Sequence, residues 1–242
     1  MEKLKLSDLS IWQKSHVVVQ ARMGSSRLPG KTLCKVGNQY LIDHVLKRLL
    51  SVMPDTSISV ATTNLDQDNE LEHYLQNNYS IGVYRGSPQD VQSRFLDIGT
   101  EKKAMYLVRV TADDPFKDPT QIVELFELIQ RLNVDYVNNF SNHLFPIGLD
   151  LEVFTLKSLM DSRLLFNNEL NREHVTLALR QEAKYSRATL TGIPSFSDVR
   201  LTIDTHEDLE FCSKIALELD KTDQPYSFNS LYQILCKMLD SR

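Results

Sequence analysis

The stretch 16–32, HVVVQARMGSSRLPGKT, decides the fold. Its first half carries Val17-Val18-Val19 without polar alternation, which is how a strand buried on both faces of a parallel sheet reads. Its second half turns to small residues and cations. Gly24, Ser25, Ser26, Pro29 and Gly30 punctuate a loop carrying Arg22, Arg27 and Lys31. Glycines let backbone N–H groups approach a ligand while the cations neutralise it, so this loop at a strand end suits a polyphosphate. A plain basic turn is the alternative, and three cations among small residues is an unusual way to build one.

Outward from that stretch, strand and helix signals alternate. Apolar residues at 41, 42, 45, 46, 49 and 50 form a helical stripe. A short strand at 58–62, a polar helix at 66–76 and a third strand at 81–84 follow. Ser87 as N-cap, Pro88 at the first helical position and Asp90 two residues on predict a helix running to about Gly99. MYLVRV at 105–110 is the most continuous strand signal, and Asp118-Pro119 caps a helix over 120–132. Further strands are expected at 134–138, 149–154 and 199–203. Helices are expected at 156–166, 172–180, 206–219 and about 227–239. The pattern predicts an α/β fold with a mostly parallel sheet wrapped on both faces, whose ligands sit at the carboxyl ends of the strands.

One domain is expected over 16–242. An amphipathic extension at 1–15, with Leu4, Leu6, Leu9, Ile11 and Trp12, leans on it. The rhythm breaks across about 139–190, an excursion suited to acceptor specificity or a dimer contact.

Bulk properties narrow the function. With 242 residues, 42% of them hydrophobic, the chain can bury one sizeable core. A net charge of −5 gives no support for a broad grip on nucleic acid. Cys34, Cys212 and Cys236 form no CxxC pair and read as reduced thiols of a cytoplasmic protein. The six histidines show no close-spaced ligand pair, and no apolar stretch is long enough to cross a bilayer, so neither zinc nor a membrane is expected.

Three constellations carry chemistry. The loop Gly24–Thr32 resembles a phosphate-binding Walker loop but places five residues between its glycines instead of four, and no helical pattern follows it. Thr111-Ala112-Asp113-Asp114-Pro115 lies at the end of MYLVRV, where a carboxylate can hold Mg²⁺ together with substrate phosphates. Asp113 is nearer the strand end than Asp114, and either could instead shape the turn before Pro115. In Leu201–Asp208, Thr205 and Asp208 read as a helix start, which leaves Asp204 free or as a second turn acid. Weaker signals are Arg85, Gln89, Arg94, Arg172 and His174. Arg94, four residues after Asp90, reads as an ion pair along a helix.

QARMGSSRLPGKTL, VRVTADDP, FPIGLDLEVF, NREHVT and LTIDTHEDLE together resemble the cytidylyltransferase family of acid-sugar activation. Within it they resemble the spore coat polysaccharide biosynthesis protein F subgroup, with the CMP-Kdo and CMP-acylneuraminate synthetases more distant. The resemblance covers about residues 16–220. It implies a Rossmann-like three-layer nucleotidyltransferase domain, usually a homodimer, that binds CTP and Mg²⁺, transfers CMP to an acidic sugar and releases pyrophosphate. By motif position, Gln20, Ala21, Arg22, Gly24, Ser25, Arg27 and Lys31 would surround the nucleotide, with Arg22 and Lys31 on its triphosphate. Asp113 and Asp204 would hold the metal. Arg85 and Gln89 would lie near the nucleotide, and Arg172 and His174 toward the acceptor. Thr202 stands where the acylneuraminate enzymes have a second aspartate, and Leu177 and Leu179 where CMP-Kdo synthetases have tyrosines. Two other classes compete, a sugar-nucleotide-dependent glycosyltransferase and a non-catalytic nucleotide-binding module.

Overall fold

The computed structural model describes residues 10–142, 145–191 and 198–239. Val17, Val18 and Val19 are fully buried in β1 (Ser15–Gln20), the middle of the parallel part of the sheet. Alternate residues of β1 serve opposite faces. Val17 and Val19 join one apolar cluster with α1 (Leu41–Leu50), α2 (Asn69–Asn78) and α4 (Thr120–Leu132), reached through β4 (Ile58–Thr63) and β6 (Tyr106–Thr111). Val18 joins the opposite cluster with α3 (Val91–Glu101), α5 (Leu156–Leu165) and α7 (Leu177–Gln181). The result is three layers, as expected.

The main sheet also contains β5 (Gly82–Gly86), β7 (Tyr136–Asn138), β8 (Glu152–Thr155) and β9 (Arg187–Thr189). Its order is β5-β4-β1-β6-β8-β7-β9. β5, β4, β1 and β6 are mutually parallel, and β8 runs against both β6 and β7. From β1 the chain steps outward to β4 and β5, then crosses back to place β6 on the other side of β1. Loops leaving β1 and β6 therefore diverge, and the crevice between them is where ligands of such sheets bind.

After β1 come a 3₁₀ turn over Lys31–Leu33 and a small hairpin of β2 (Lys35–Val36) and β3 (Gln39–Tyr40), before α1 begins. No α-helix follows the loop directly, in keeping with the failed Walker spacing. At the C-terminal side, α8 (His206–Leu219) and α9 (Phe228–Leu239) form a third cluster with Leu28, Leu201 and Ile203.

Four sequence expectations need correction. The helix expected from Ser87 starts at Val91, with Asp90 as its N-cap accepting from Ser93 N at 3.0 Å. Ser87 instead accepts from Asp90 N, forming a turn in front of the helix. The helix expected over 172–180 is two, α6 (Glu169–His174) and α7, because Val175 takes φ +54° between them. The strand expected at 199–203 joins no ladder. Its alternating Leu201 and Ile203 are buried, but its backbone pairs only with loops, through a bridge of Arg200 to Ile147 and a bond from Ile203 N to Asp113 O at 2.9 Å. Finally, the stretch about 139–190 does break the alternation, yet β8 and β9 within it belong to the main sheet.

Of the extension, residues 1–9, with Leu4, Leu6 and Leu9, lie outside the described residues. Trp12 is buried edge-on against Phe126 at 6.0 Å between ring centroids, and Ser15 already belongs to β1.

Candidate active site

The loop after β1 is folded around one carbonyl. Ser25 N and Gly30 N both donate to Met23 O, at 3.0 and 2.9 Å, and Gly30 takes φ +73°, a left-handed conformation natural for glycine. Thr32 Oγ1 donates to Arg22 O at 2.7 Å, and Met23 N donates to Asp68 Oδ1 at 2.6 Å. The loop thus encloses one side of a cavity of about 230 Å³. Gln20, Ala21, Arg22, Ser25, Arg27 and Lys31 line it, facing Asp113 and Asp204.

The centre of that cavity is Lys31. Its Nζ donates to Ile203 O at 2.8 Å, Asp204 Oδ1 at 3.0 Å and Asp113 Oδ2 at 3.2 Å. One ammonium therefore gathers carboxylates from two distant loops, whose backbones are already joined by Ile203 N and Asp113 O. Asp204 also pairs with Arg27 at 3.0 Å and with Arg200. Burial pushes the Asp204 carboxyl up, but the Lys31 hydrogen bond and the three surrounding cations outweigh it and hold it below the usual carboxylate range.

Asp114 has a different task. Fully buried, it accepts from Lys117 Nζ at 2.8 Å and Thr111 Oγ1 at 2.5 Å, away from the cavity wall. Burial, with Asp113 alongside, pushes its carboxyl up against the pull of Lys117. Of the two, Asp113 is the residue that lines the cavity. Asp118 accepts from Thr120 N at 3.0 Å at the start of α4, and Thr205 and Asp208 form the reciprocal cap of α8.

Other candidates fall elsewhere. Gly24 does not line the cavity; a Cβ there would meet the Gln67 side-chain amide at 2.4 Å. Arg85 points away, donating to Thr63 O, Leu65 O, Asn69 Oδ1 and Glu72 Oε2 at 2.6–2.9 Å. On an edge strand beside α2, it braces the β4–α2 connection. Gln89 and Arg172 line an adjoining hollow of about 560 Å³, which Arg22 shares with the first cavity. His174 is exposed at the end of α6 and lines neither.

Two residues were misjudged or missed. Arg94 makes no ion pair with Asp90, which binds Arg163 at 2.6 Å; Arg94 instead lines the main cavity and is 2% exposed. The signal was available, since Val91, Arg94 and Ile98 share one helical stripe and its other members are core. Arg200, on Asp204, left no local signal.

A cytidylyltransferase family model matches residues 16–233. Spore coat polysaccharide biosynthesis protein SpsF of Bacillus subtilis is 33% identical over 203 residues, covering 80% of this chain and 82% of its own. The 8-amino-3,8-dideoxy-manno-octulosonate cytidylyltransferase of Shewanella loihica is 23% identical over 214 residues, covering 86% and 83%. A solved cytidylyltransferase from Leptospira borgpetersenii serovar Hardjo-bovis superposes with a TM-score of 0.86 at 27% identity, covering 94% of this chain and 95% of its own. A nearly full-length family match, laid over a sheet whose crevice gathers Lys31, Asp113 and Asp204, assigns this chain to the cytidylyltransferase family of nucleotidyltransferases.

Proposed function

We propose that the chain transfers a cytidylyl group from CTP to a sugar acid of the 3-deoxy-2-keto type or a related acid, with release of pyrophosphate, for cell-surface polysaccharide. The observation that carries this reading is the single ammonium of Lys31 shared by Asp113 and Asp204 beside Arg22 and Arg27. An acceptor hydroxyl attacks the α-phosphorus, the bond from that phosphorus to the β-phosphate bridge breaks, and the hydroxyl proton passes to solvent. Arg22, Arg27 and Lys31 neutralise charge as it gathers on the departing pyrophosphate, in a pocket where such donors act strongly.

A divalent ion suits the donor set, because Mg²⁺ takes one or two carboxylates and completes its shell with substrate phosphates and water. Asp113 and Asp204 would hold it, and when bound it supplies Lewis-acid stabilisation to phosphoryl oxygens. Gln20 is pre-oriented on the cavity wall, its Oε1 accepting from Arg109 Nη2 at 3.2 Å, while Arg109 is itself held by Glu152 at 3.1 Å. Arg172 lines the hollow next to Arg22, which supports a role toward the acceptor, and Gln89, expected near the nucleotide, lines the same hollow. Exposed Leu164, Leu165 and Leu170 on and after α5 support a homodimer through that face.

The test is pyrophosphate release with each nucleoside triphosphate across a panel of 2-keto-3-deoxy sugar acids. CTP-dependent release that vanishes in Asp113→Asn and Asp204→Asn is expected. Near-normal release by both variants refutes the assignment of these carboxylates.

A further inference from the structure

Arg94 is a charged side chain in a buried place with too few partners. Its stem passes over Gly86, where an added Cβ would lie 2.6 Å from Arg94 Cγ, so the strand end is kept bare to admit it. Among the described residues its guanidinium makes one hydrogen bond, from Nη1 to Ala61 O at 3.3 Å, and its buried Nε has no acceptor. Arg48 is equally buried and its Nε likewise lacks an acceptor, so the difference between the two lies at the ends of their guanidiniums. Arg48 donates to Tyr226 O and Pro225 O, both at 3.0 Å, and lies over the rings of Phe116 and Tyr226.

The acids near Arg94 are committed elsewhere. Asp90 caps α3 and pairs with Arg163; Asp68 accepts from Met23 N and Thr63 Oγ1. Arg22, beside Arg94 on the cavity wall, has no side-chain hydrogen bond or ion pair among the described residues. At the other end of the cavity, Lys31, Arg27 and Arg200 are answered by Asp113 and Asp204. Two neighbouring guanidiniums on the cavity wall, without an ion pair among the described residues and one of them, Arg22, shared with the Gln89–Arg172 hollow, call for an anion from outside the chain.

We propose that Arg94 and Arg22 form an oxyanion subsite that receives either a phosphoryl group of the nucleotide or the carboxylate of the acceptor. The proposal rests on the cytidylyl-transfer reading for the identity of those two ligands. Arg94 would then be a binding residue in its own right, with its cost of burial recovered only when the anion arrives.

The test titrates wild type, Arg94→Gln and Arg94→Lys with Mg-CTP, cytidine and 3-deoxy-manno-octulosonate by calorimetry, with melting curves for all three proteins. Arg94→Gln is expected to weaken CTP or the sugar acid at least tenfold while cytidine is unchanged, and Arg94→Lys to recover part of the loss. Loss on CTP assigns the phosphoryl group; loss on the sugar acid alone assigns the carboxylate. In wild type, the Arg94 Nε–H resonance should shift with the same ligand, which decides the matter if the variants do not fold. Affinities within twofold of wild type for both ligands, or an unmoved Nε–H resonance on saturation, overturn the inference. Failure of wild type to bind CTP at all refutes instead the functional reading on which it stands.

Discussion

Replacing Lys31 with Met removes the ammonium that bridges the Asp113 and Asp204 carboxylates. Breaking a buried ion pair by deleting one partner costs about 3–5 kcal/mol when a charge is left alone. Here the penalty is smaller. Asp204 keeps Arg27 at 3.0 Å and Arg200, and the Asp113 side chain is 31% exposed, so water can answer part of its charge. Ile203 O also loses its 2.8 Å donor, although the backbone bond from Ile203 N to Asp113 O still spans the two loops. A loss of about 2 kcal/mol is expected, and at ~2–4 °C per kcal/mol for a chain of this size the melting temperature should fall by ~4–8 °C. Turnover should fall further, by ~10²–10³, as when a preorganised donor to developing charge is removed. Because Asp113 then loses its cation and Asp204 one of its three, Lys31→Met should be stabilised by millimolar Mg²⁺ without nucleotide more than wild type is. Scanning fluorimetry with and without Mg²⁺, together with pyrophosphate release, reads all three quantities. Turnover within fivefold of wild type and an unshifted melting curve would refute the central role given to this ammonium.

Arg85→Ala should lower stability by about 2 kcal/mol, through lost charge-assisted bonds to two carbonyls and Glu72, yet leave CTP affinity within twofold in a calorimetric titration. Gly148→Ala should cost at least about 2 kcal/mol in a urea melt, since Gly148 takes φ +102° and a Cβ would lie 2.7 Å from Thr202 N. It should also displace the segment leading to Asp204, and with it raise the Mg²⁺ concentration needed for half-maximal activity. The depressed Asp204 carboxyl contributes stability that is complete above about pH 4 and is lost as pH falls through its lowered folded value. Asp204→Asn should therefore flatten the acid limb of urea-midpoint against pH, and an unchanged slope would contradict that assignment.

The fold and much of the site were legible because they depend on short-range rules. A run of valines with no polar alternation reads as a central strand, and Val17–Val19 are fully buried. Cap chemistry separated Asp118 and Asp208, each occupied by a helix start, from Asp113 and Asp204, which line the cavity. Where local rules failed, a distant partner had taken the residue. Asp90 could have paired with Arg94 one turn away, but Arg163 from α5 claims it, and Arg94 is left to the cavity. Arg85 matched a nucleotide-binding position by motif, yet α2 supplies Glu72 and Asn69 and draws it off. The alternation of 199–203 reads as a strand, but side-chain burial is satisfied by α8 while no strand lies alongside to pair its backbone.

The sequence by itself determined the alternation of strands and helices, the cationic loop, and the acids that helix starts do not use, because each follows from neighbours within a turn. Only the tertiary structure decided which arginine faces the cavity and that Asp113 and Asp204, 91 residues apart in the chain, meet at Lys31. Those choices depend on strand order: with β6 returned to the far side of β1, two loops that share no local signal are brought to the same ammonium.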